Sequence, residues 1–177
     1  RGLGKPTSFR AGGWTAEANV LSALADDGFV ADGSAANWHR MEEWKGVWGT
    51  SLYSWCETHW SGIDDQSQPY IPSAADIQKE GSPFIPILEI PDNGLLVDYF
   101  SAQEMIEVFD KNWNGGALAE PRVVSLGYHP PNFSESFFAR MDGALDEVDA
   151  HLASQDAGPV VYATASGLAK VFSPPAE

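Results

Sequence analysis

A histidine follows the end of a short apolar run in the C-terminal half of the chain. The run from Arg122 to Leu126 is rich in β-branched and apolar residues and closes at Gly127, which predicts a β-strand. Tyr128 and His129 come next, and two prolines then stop any strand ladder. Histidine titrates near neutral pH and can act as a general acid or base. A structural histidine in a proline-rich turn is the alternative.

An arginine stands beside two glycines at the end of another predicted strand. The segment Phe9–Trp14 reads Phe-Arg-Ala-Gly-Gly-Trp. Glycines let a ligand approach the backbone closely, and the Arg10 guanidinium can hold a carboxylate through two hydrogen bonds. The pattern therefore favours a functional role for Arg10, and a surface arginine in a turn is the alternative.

Strands and helices alternate around these residues. Thr15 as N-cap and apolar residues at helical spacing predict a first helix, which Gly28 ends, and the strand after it leads to Asp32. The other predicted elements are a strand over 84–90, a helix after the capping box of Ser101 and Glu104, a helix over 137–152 and a strand over 160–163. This alternation predicts an α/β fold with a parallel sheet, and about five strands are too few to close a barrel.

Tryptophans are concentrated between residue 33 and about residue 80, where no clear periodicity is found. So long a segment without periodicity predicts a functional loop. Tryptophan faces stack on sugar rings through apolar C–H patches, so a carbohydrate groove is one interpretation, and packing of the loop is the other. The candidate substrate-binding residues are Trp14, Trp38, Trp48 and Tyr128. His39 and His59 lie twenty residues apart, which is not a metal-ligand spacing.

Composition narrows the class of partner. The 177 residues carry a formal net charge of -15, which argues against nucleic acid and against an anionic membrane surface. The single cysteine, Cys56, excludes an internal disulfide, and no apolar run approaches the length of a membrane span. We predict one domain over 1–177 with a proline-rich tail at 173–177.

Five segments, taken in order, resemble motifs of the polysaccharide deacetylases, carbohydrate esterase family four. They are Phe9–Trp14, Gly28–Ser34, Gln68–Ser73, Leu88–Pro91 and Leu126–Pro130. The resemblance implies the C-terminal part of a distorted (β/α) barrel with a long Trp-rich insertion. It implies metal-dependent hydrolysis of an N-acetyl or similar amide on a carbohydrate, and a secreted or cell-envelope location.

The resemblance also implies roles for three residues. His129 falls on the motif of the acid that protonates the leaving amine. Arg10 falls on the motif of the arginine that orients an aspartate base, and Asp32 falls near an aspartate that helps to tune the histidine. In such enzymes a divalent metal, with zinc as the first candidate, activates water.

Two motifs that precede the arginine in that family, an Asp-Asp pair and a His-x-x-x-His run, are not found before Arg10. No His-x-x-x-His run occurs in the sequence, and its pairs Asp26-Asp27 and Asp64-Asp65 stand in other contexts, after Arg10. The base and metal ligands would therefore lie outside the chain, which alone would bind no metal tightly and would be inactive. We expect either an N-terminal half on a separate chain or a homo-oligomer to cover the edge of the Arg10 strand. The alternatives are a non-catalytic carbohydrate-binding module built on the Trp-rich loop and, less favoured, an acidic α/β scaffold with no ligand.

Overall fold

The computed structural model describes residues 4–42, 50–94, 96–130 and 134–172. Trp48 and the predicted tail at 173–177 lie outside these ranges. The chain divides into two compact units, and each is described by itself. Unit 1 comprises Arg1–Pro91 and Thr164–Glu177, and unit 2 comprises Asp92–Ala163. Helices combined with a parallel sheet confirm the mixed α/β class.

The sheet of unit 1 has three short parallel strands. They are β1 Ser8–Phe9, β2 Ala31–Asp32 and β3 Leu88–Glu89, in the spatial order β1-β2-β3. Both residues of β2 and both of β3 are buried, as expected for strands covered on both faces. Strand β1 is exposed and lies at one end of the sheet that the described residues form. The central strand is therefore the one that carries Asp32.

Six α-helices are found in the described residues. They are α1 Ala18–Asp26, α2 Trp38–Met41, α3 Thr50–Trp60, α4 Ala102–Asn112, α5 Glu135–Asp149 and α6 Ala165–Phe172. Within unit 1, α6 packs against β2, and within unit 2, α4 packs against α5. None of the described helices is both long enough and apolar enough to cross a membrane.

The first helix ends as predicted but begins later. Gly28 has a φ of 83°, in the left-handed region that glycine adopts without strain, and it confirms the predicted stop. The N-cap is Glu17, not Thr15, so that prediction is wrong. The Thr15 hydroxyl instead donates to the carbonyl of Gly12, at 2.9 Å, and stabilises the preceding turn.

The prediction of a Trp-rich loop over about residues 33–80 is wrong for Trp38–Met41 and Thr50–Trp60, which form the helices α2 and α3. Asn37 caps α2 by accepting a hydrogen bond from the Arg40 backbone, and its Nδ2 donates to Asp65 at 2.8 Å. Arg40 closes the cluster with an ion pair to Asp65 at 3.0 Å. These polar ties fix a short helix that apolar periodicity alone does not reveal.

Unit 2 is built mainly from its helix pair. The predicted capping box is confirmed, since Ser101 and Glu104 each bond the other's backbone at the start of α4. The predictions of strands over 122–126 and 160–163 are wrong, because neither segment forms a regular strand. Only the isolated parallel bridges Leu96↔Gly127 and Leu152↔Val160 are formed at those places.

Candidate functional site

The predicted acid–base histidine lies beside a segment that the sequence did not single out. The bridge Leu96↔Gly127 sets residues 96–98 parallel to residues 127–129, and the Val97 backbone donates to the carbonyl of Gly127 at 3.0 Å. Continuing both segments by two residues brings Asp98 to His129. The pairing is thirty-one residues apart in sequence, so no local pattern could have indicated it.

Asp98 holds His129 at two points. The His129 backbone N–H donates to Oδ2 of Asp98 at 3.1 Å, and the ring Nδ1 lies 3.1 Å from Oδ1. The carboxylate side chain is only 5% exposed, while the histidine side chain is 47% exposed. Within the described residues nothing is hydrogen-bonded to Nε2, on the opposite side of the ring. One ring nitrogen thus lies within ion-pair distance of a buried carboxylate oxygen that has no hydrogen-bond partner among the described residues, and the other is open to a reactant.

Neighbouring groups support this pair. Nη1 of Arg140, in α5, donates to the carbonyl of Val97 at 2.9 Å and so fixes the backbone next to Asp98. The Tyr99 ring meets the His129 ring edge to face, at 6.2 Å between centroids. Burial, with a contribution from the Asp98 charge, raises the pKa of Tyr99, which keeps its hydroxyl protonated. Tyr128 is half exposed, and its ring is accessible to a ligand.

The segment before the histidine is held by a side chain and not by a strand ladder. Nδ2 of the buried Asn93 donates to the carbonyl of Val123 at 2.8 Å, and Oδ1 accepts from the Ser125 backbone at 3.0 Å. Gly94 permits this close approach, because a Cβ there would lie 2.5 Å from the carbonyl oxygen of Ser125. The amide side chain replaces strand pairing, which is why the apolar run before Gly127 forms no regular strand.

In unit 1, Arg10 lies just after β1, and its Nε donates to the carbonyl of Gly33 at 2.9 Å. The guanidinium is therefore tied to the loop that follows β2. Arg10 and Asp32 belong to unit 1, whereas Tyr128 and His129 belong to unit 2. The carboxylate that contacts His129 is Asp98, and the role of Asp32 in tuning that histidine stays a prediction.

Three of the tryptophans that the structure describes in unit 1 contribute to packing. Trp14 and Trp38 are 8% and 5% exposed, and Trp60 is fully buried, with its Nε1 donating to the carbonyl of Trp14 at 2.8 Å. Trp55 is less buried and stacks on His59 with 3.9 Å between ring centroids. Burial leaves Trp14 and Trp38 little ring face for a sugar.

Asp32 is paired with an acidic residue that sequence reasoning passed over. Asp32 and Glu89 are partners in the β2–β3 register, and they are 1% and 0% exposed. Burial raises the pKa of Asp32, and burial together with the Asp32 charge raises the pKa of Glu89 well above its usual range. A carboxylate inside the apolar strand run over 84–90 was the available signal, since glutamate is rarely buried without a partner.

A divalent metal needs several His, Cys, Asp or Glu ligands in one place. In the part of the chain that the structure describes, no three His, Cys, Asp or Glu side chains come together to hold a metal ion. These residues do not fit a metal centre by themselves, and we assign no step to a metal. What the arrangement around His129 can do is give or take a proton at Nε2, with Asp98 stabilising the charged ring.

Comparison of the chain with protein-family models, with curated proteins and with solved structures gives no match.

Proposed function

We propose that this chain is a portion of a metal-dependent polysaccharide deacetylase, which hydrolyses an N-acetyl group on a carbohydrate. The base and metal-ligand motifs would lie outside the 177 residues. The observation that supports this function is the exposed His129 imidazole fixed by the buried Asp98 carboxylate. The histidine occurs in the segment that resembles the acid motif of that family. The proposal includes the finer fold, the C-terminal part of a distorted (β/α) barrel.

The chemistry assigned to this chain is one proton transfer. An amide nitrogen leaves poorly as an anion, so cleavage of the N-acetyl bond needs a proton delivered to that nitrogen. The protonated His129 ring would give this proton from Nε2 to the departing amine. Asp98 would orient the ring through Nδ1 and stabilise its positive form, as a carboxylate does in other acid–base histidine sites.

Substrate contact is assigned to the exposed aromatic ring next to the acid. Tyr128 is half exposed and adjacent in sequence to His129, and an aromatic face can stack on a sugar ring. Arg10 retains the role implied by the resemblance, the orientation of an aspartate base.

The alternative is a non-catalytic carbohydrate-binding module that uses the Trp-rich segment. That function requires exposed indole faces, whereas Trp14, Trp38 and Trp60 are buried. A module would also gain nothing from a histidine fixed by a carboxylate. The deacetylase proposal therefore accounts for more of the observed geometry.

The experiment uses the protein in the form in which its source makes it. Mass spectrometry of the isolated protein should detect a polypeptide or chain segment containing His-x-x-x-His. That preparation, supplied with zinc, cobalt or nickel, should release acetate from N-acetylated glucosamine oligosaccharides. His129→Ala in the same form should lower turnover by about 10²–10⁴-fold. The control, His39→Ala, removes an exposed imidazole of unit 1 and should leave turnover unchanged.

Three results would contradict the proposal. One is a preparation that contains no such segment and binds the oligosaccharide without releasing acetate, which indicates the binding module. Another is full activity of His129→Ala. The third is a folded preparation that neither binds nor deacetylates any of these oligosaccharides.

A further inference from the structure

The paired acidic residues of unit 1 have an unusual hydrogen-bond arrangement. Oδ1 of Asp32 accepts from the Ser34 hydroxyl and Oδ2 accepts from the Ser34 backbone, both at 3.0 Å. Oε1 of Glu89 accepts from the Ala35 backbone at 2.8 Å. Among the described residues, no N–H or O–H group donates to Oε2 of Glu89. Three of the four carboxyl oxygens therefore have donors, and one does not.

Asp32 and Glu89 are register partners on adjacent parallel strands, so their buried carboxyl side chains project from the same face of the sheet, and each carboxyl group affects the pKa of the other. An ionised carboxylate only accepts hydrogen bonds, so a bond between two carboxyl groups requires a proton on one of them. Two buried negative charges in contact would also repel strongly, and each would lack the solvation of water. Both costs are removed when the pair binds one proton.

We infer that Asp32 and Glu89 hold one proton between them, and that this proton-bridged carboxyl pair joins β2 to β3 and makes the stability of unit 1 fall as pH rises. The proton belongs to the pair, as in other coupled carboxyl pairs. Oε2 of Glu89 is the oxygen that carries it toward Asp32, because the other three oxygens already accept protein donors.

Charged and titratable groups on the surrounding elements do not supply an alternative donor to Oε2. Arg10, after β1, directs its Nε to the carbonyl of Gly33. Tyr70 pairs with the Glu89 backbone, but its hydroxyl donates to the carbonyl of Ile77 at 2.7 Å. Asp76 lies in the same segment as Tyr70, and its charge contributes to the raised pKa of Tyr70. Lys170 on α6 is exposed. None of these described groups donates to Oε2.

The sign of the pH effect follows from the direction of the pKa shifts. Burial and mutual repulsion raise the pKa of the pair above the values of about 3.9 and 4.3 that Asp and Glu have in an unfolded chain. Below those values both states are protonated and the full stability is present. Above them, the unfolded chain has lost a proton that the folded pair keeps, so stability falls until the pair itself ionises.

The test measures unfolding of unit 1 by urea from pH 5 to pH 9, with tryptophan fluorescence as the probe. Six of the seven tryptophans belong to unit 1, so the signal reports on that unit. Where the folded pair keeps a proton that the unfolded chain has lost, the equilibrium constant for folding falls by about tenfold for each pH unit. Glu89→Gln keeps a donor to Asp32 but cannot ionise, and it should remove that slope. Asp76→Asn, which changes a partly exposed carboxylate whose pKa is lowered by its hydrogen bond with Lys79, should retain it.

Infrared spectroscopy supplies a second measurement that does not depend on the variants folding. At pH 7 the wild-type protein should show the C=O stretching band of a protonated carboxyl group. Absence of that band overturns the inference, as does a slope in Glu89→Gln equal to that of the wild type. If Glu89→Gln fails to fold, the infrared band of the wild-type protein decides the case.

Discussion

Gly94 offers a sharp test of how the segment before His129 is held. A Cβ at this position would lie 2.5 Å from the Ser125 carbonyl oxygen and 2.7 Å from Cγ1 of Val124. Ordinary Cβ contacts begin at 3.4 Å, so the substitution Gly94→Ala would separate the two segments by roughly 0.9 Å. That displacement would stretch the hydrogen bond from the Ser125 backbone to Asn93, now 3.0 Å long.

The expected cost of Gly94→Ala follows from opposing terms. Overpacking costs about 1–3 kcal/mol, and a weakened buried hydrogen bond costs about 0.5–1.5 kcal/mol. Alanine leaves the unfolded chain fewer conformations than glycine does, which stabilises the folded state by about 0.4–1 kcal/mol. We therefore expect the free energy of unfolding of unit 2 to fall by about 1–3 kcal/mol. The control is Gly143→Ala in α5, whose Cβ would lie 3.4 Å from Ala102 and which should stabilise by about 0.5–1 kcal/mol.

The assay is amide hydrogen exchange, which reports on unit 2 separately from unit 1. Exchange of the Ser125 and Val97 amides should accelerate in Gly94→Ala and slow or stay unchanged in Gly143→Ala. If both variants exchange like the wild type, the close approach at Gly94 does not hold this segment and the reasoning is wrong.

Two further predictions concern a helix start and a thiol. Ser101→Ala removes half of the α4 capping box and should lower the free energy of unfolding by about 0.5–2 kcal/mol in urea denaturation, and an unchanged value would contradict the role of the cap. Burial raises the pKa of Cys56 to about 11, so a thiol reagent at pH 8 should label the native protein far more slowly than the urea-unfolded protein, and equal rates would show that the thiol is accessible.

Local signals in the sequence predicted some elements correctly. The stop of α1 at Gly28 and the capping box of α4 depend on residues within one helical turn, and both are confirmed. The alternation of strands and helices gave the α/β class, because it reflects the way parallel strands are connected. It did not give the number of regular strands, since apolar runs are also compatible with segments held by side chains.

The contacts that the sequence did not predict are those between residues far apart in the chain. Asp98 reaches His129 across thirty-one residues, and Glu89 meets Asp32 across a strand register. Neither contact produces a periodic pattern in the sequence. The helices of the Trp-rich segment were missed because α2 spans only four residues and depends on the polar tie between Arg40 and Asp65.

The central claim is that His129 transfers a proton with Asp98 as its positioning residue, and a double-mutant cycle in the acetate-release assay tests it most directly. Asp98→Asn keeps the shape of the side chain but removes the charge that stabilises the protonated ring. We predict that Asp98→Asn slows turnover in the wild-type background and has no further effect when added to His129→Ala. The claim would be contradicted if the fold-decreases in turnover caused by the two substitutions multiplied in the double variant, since Asp98 would then act independently of His129.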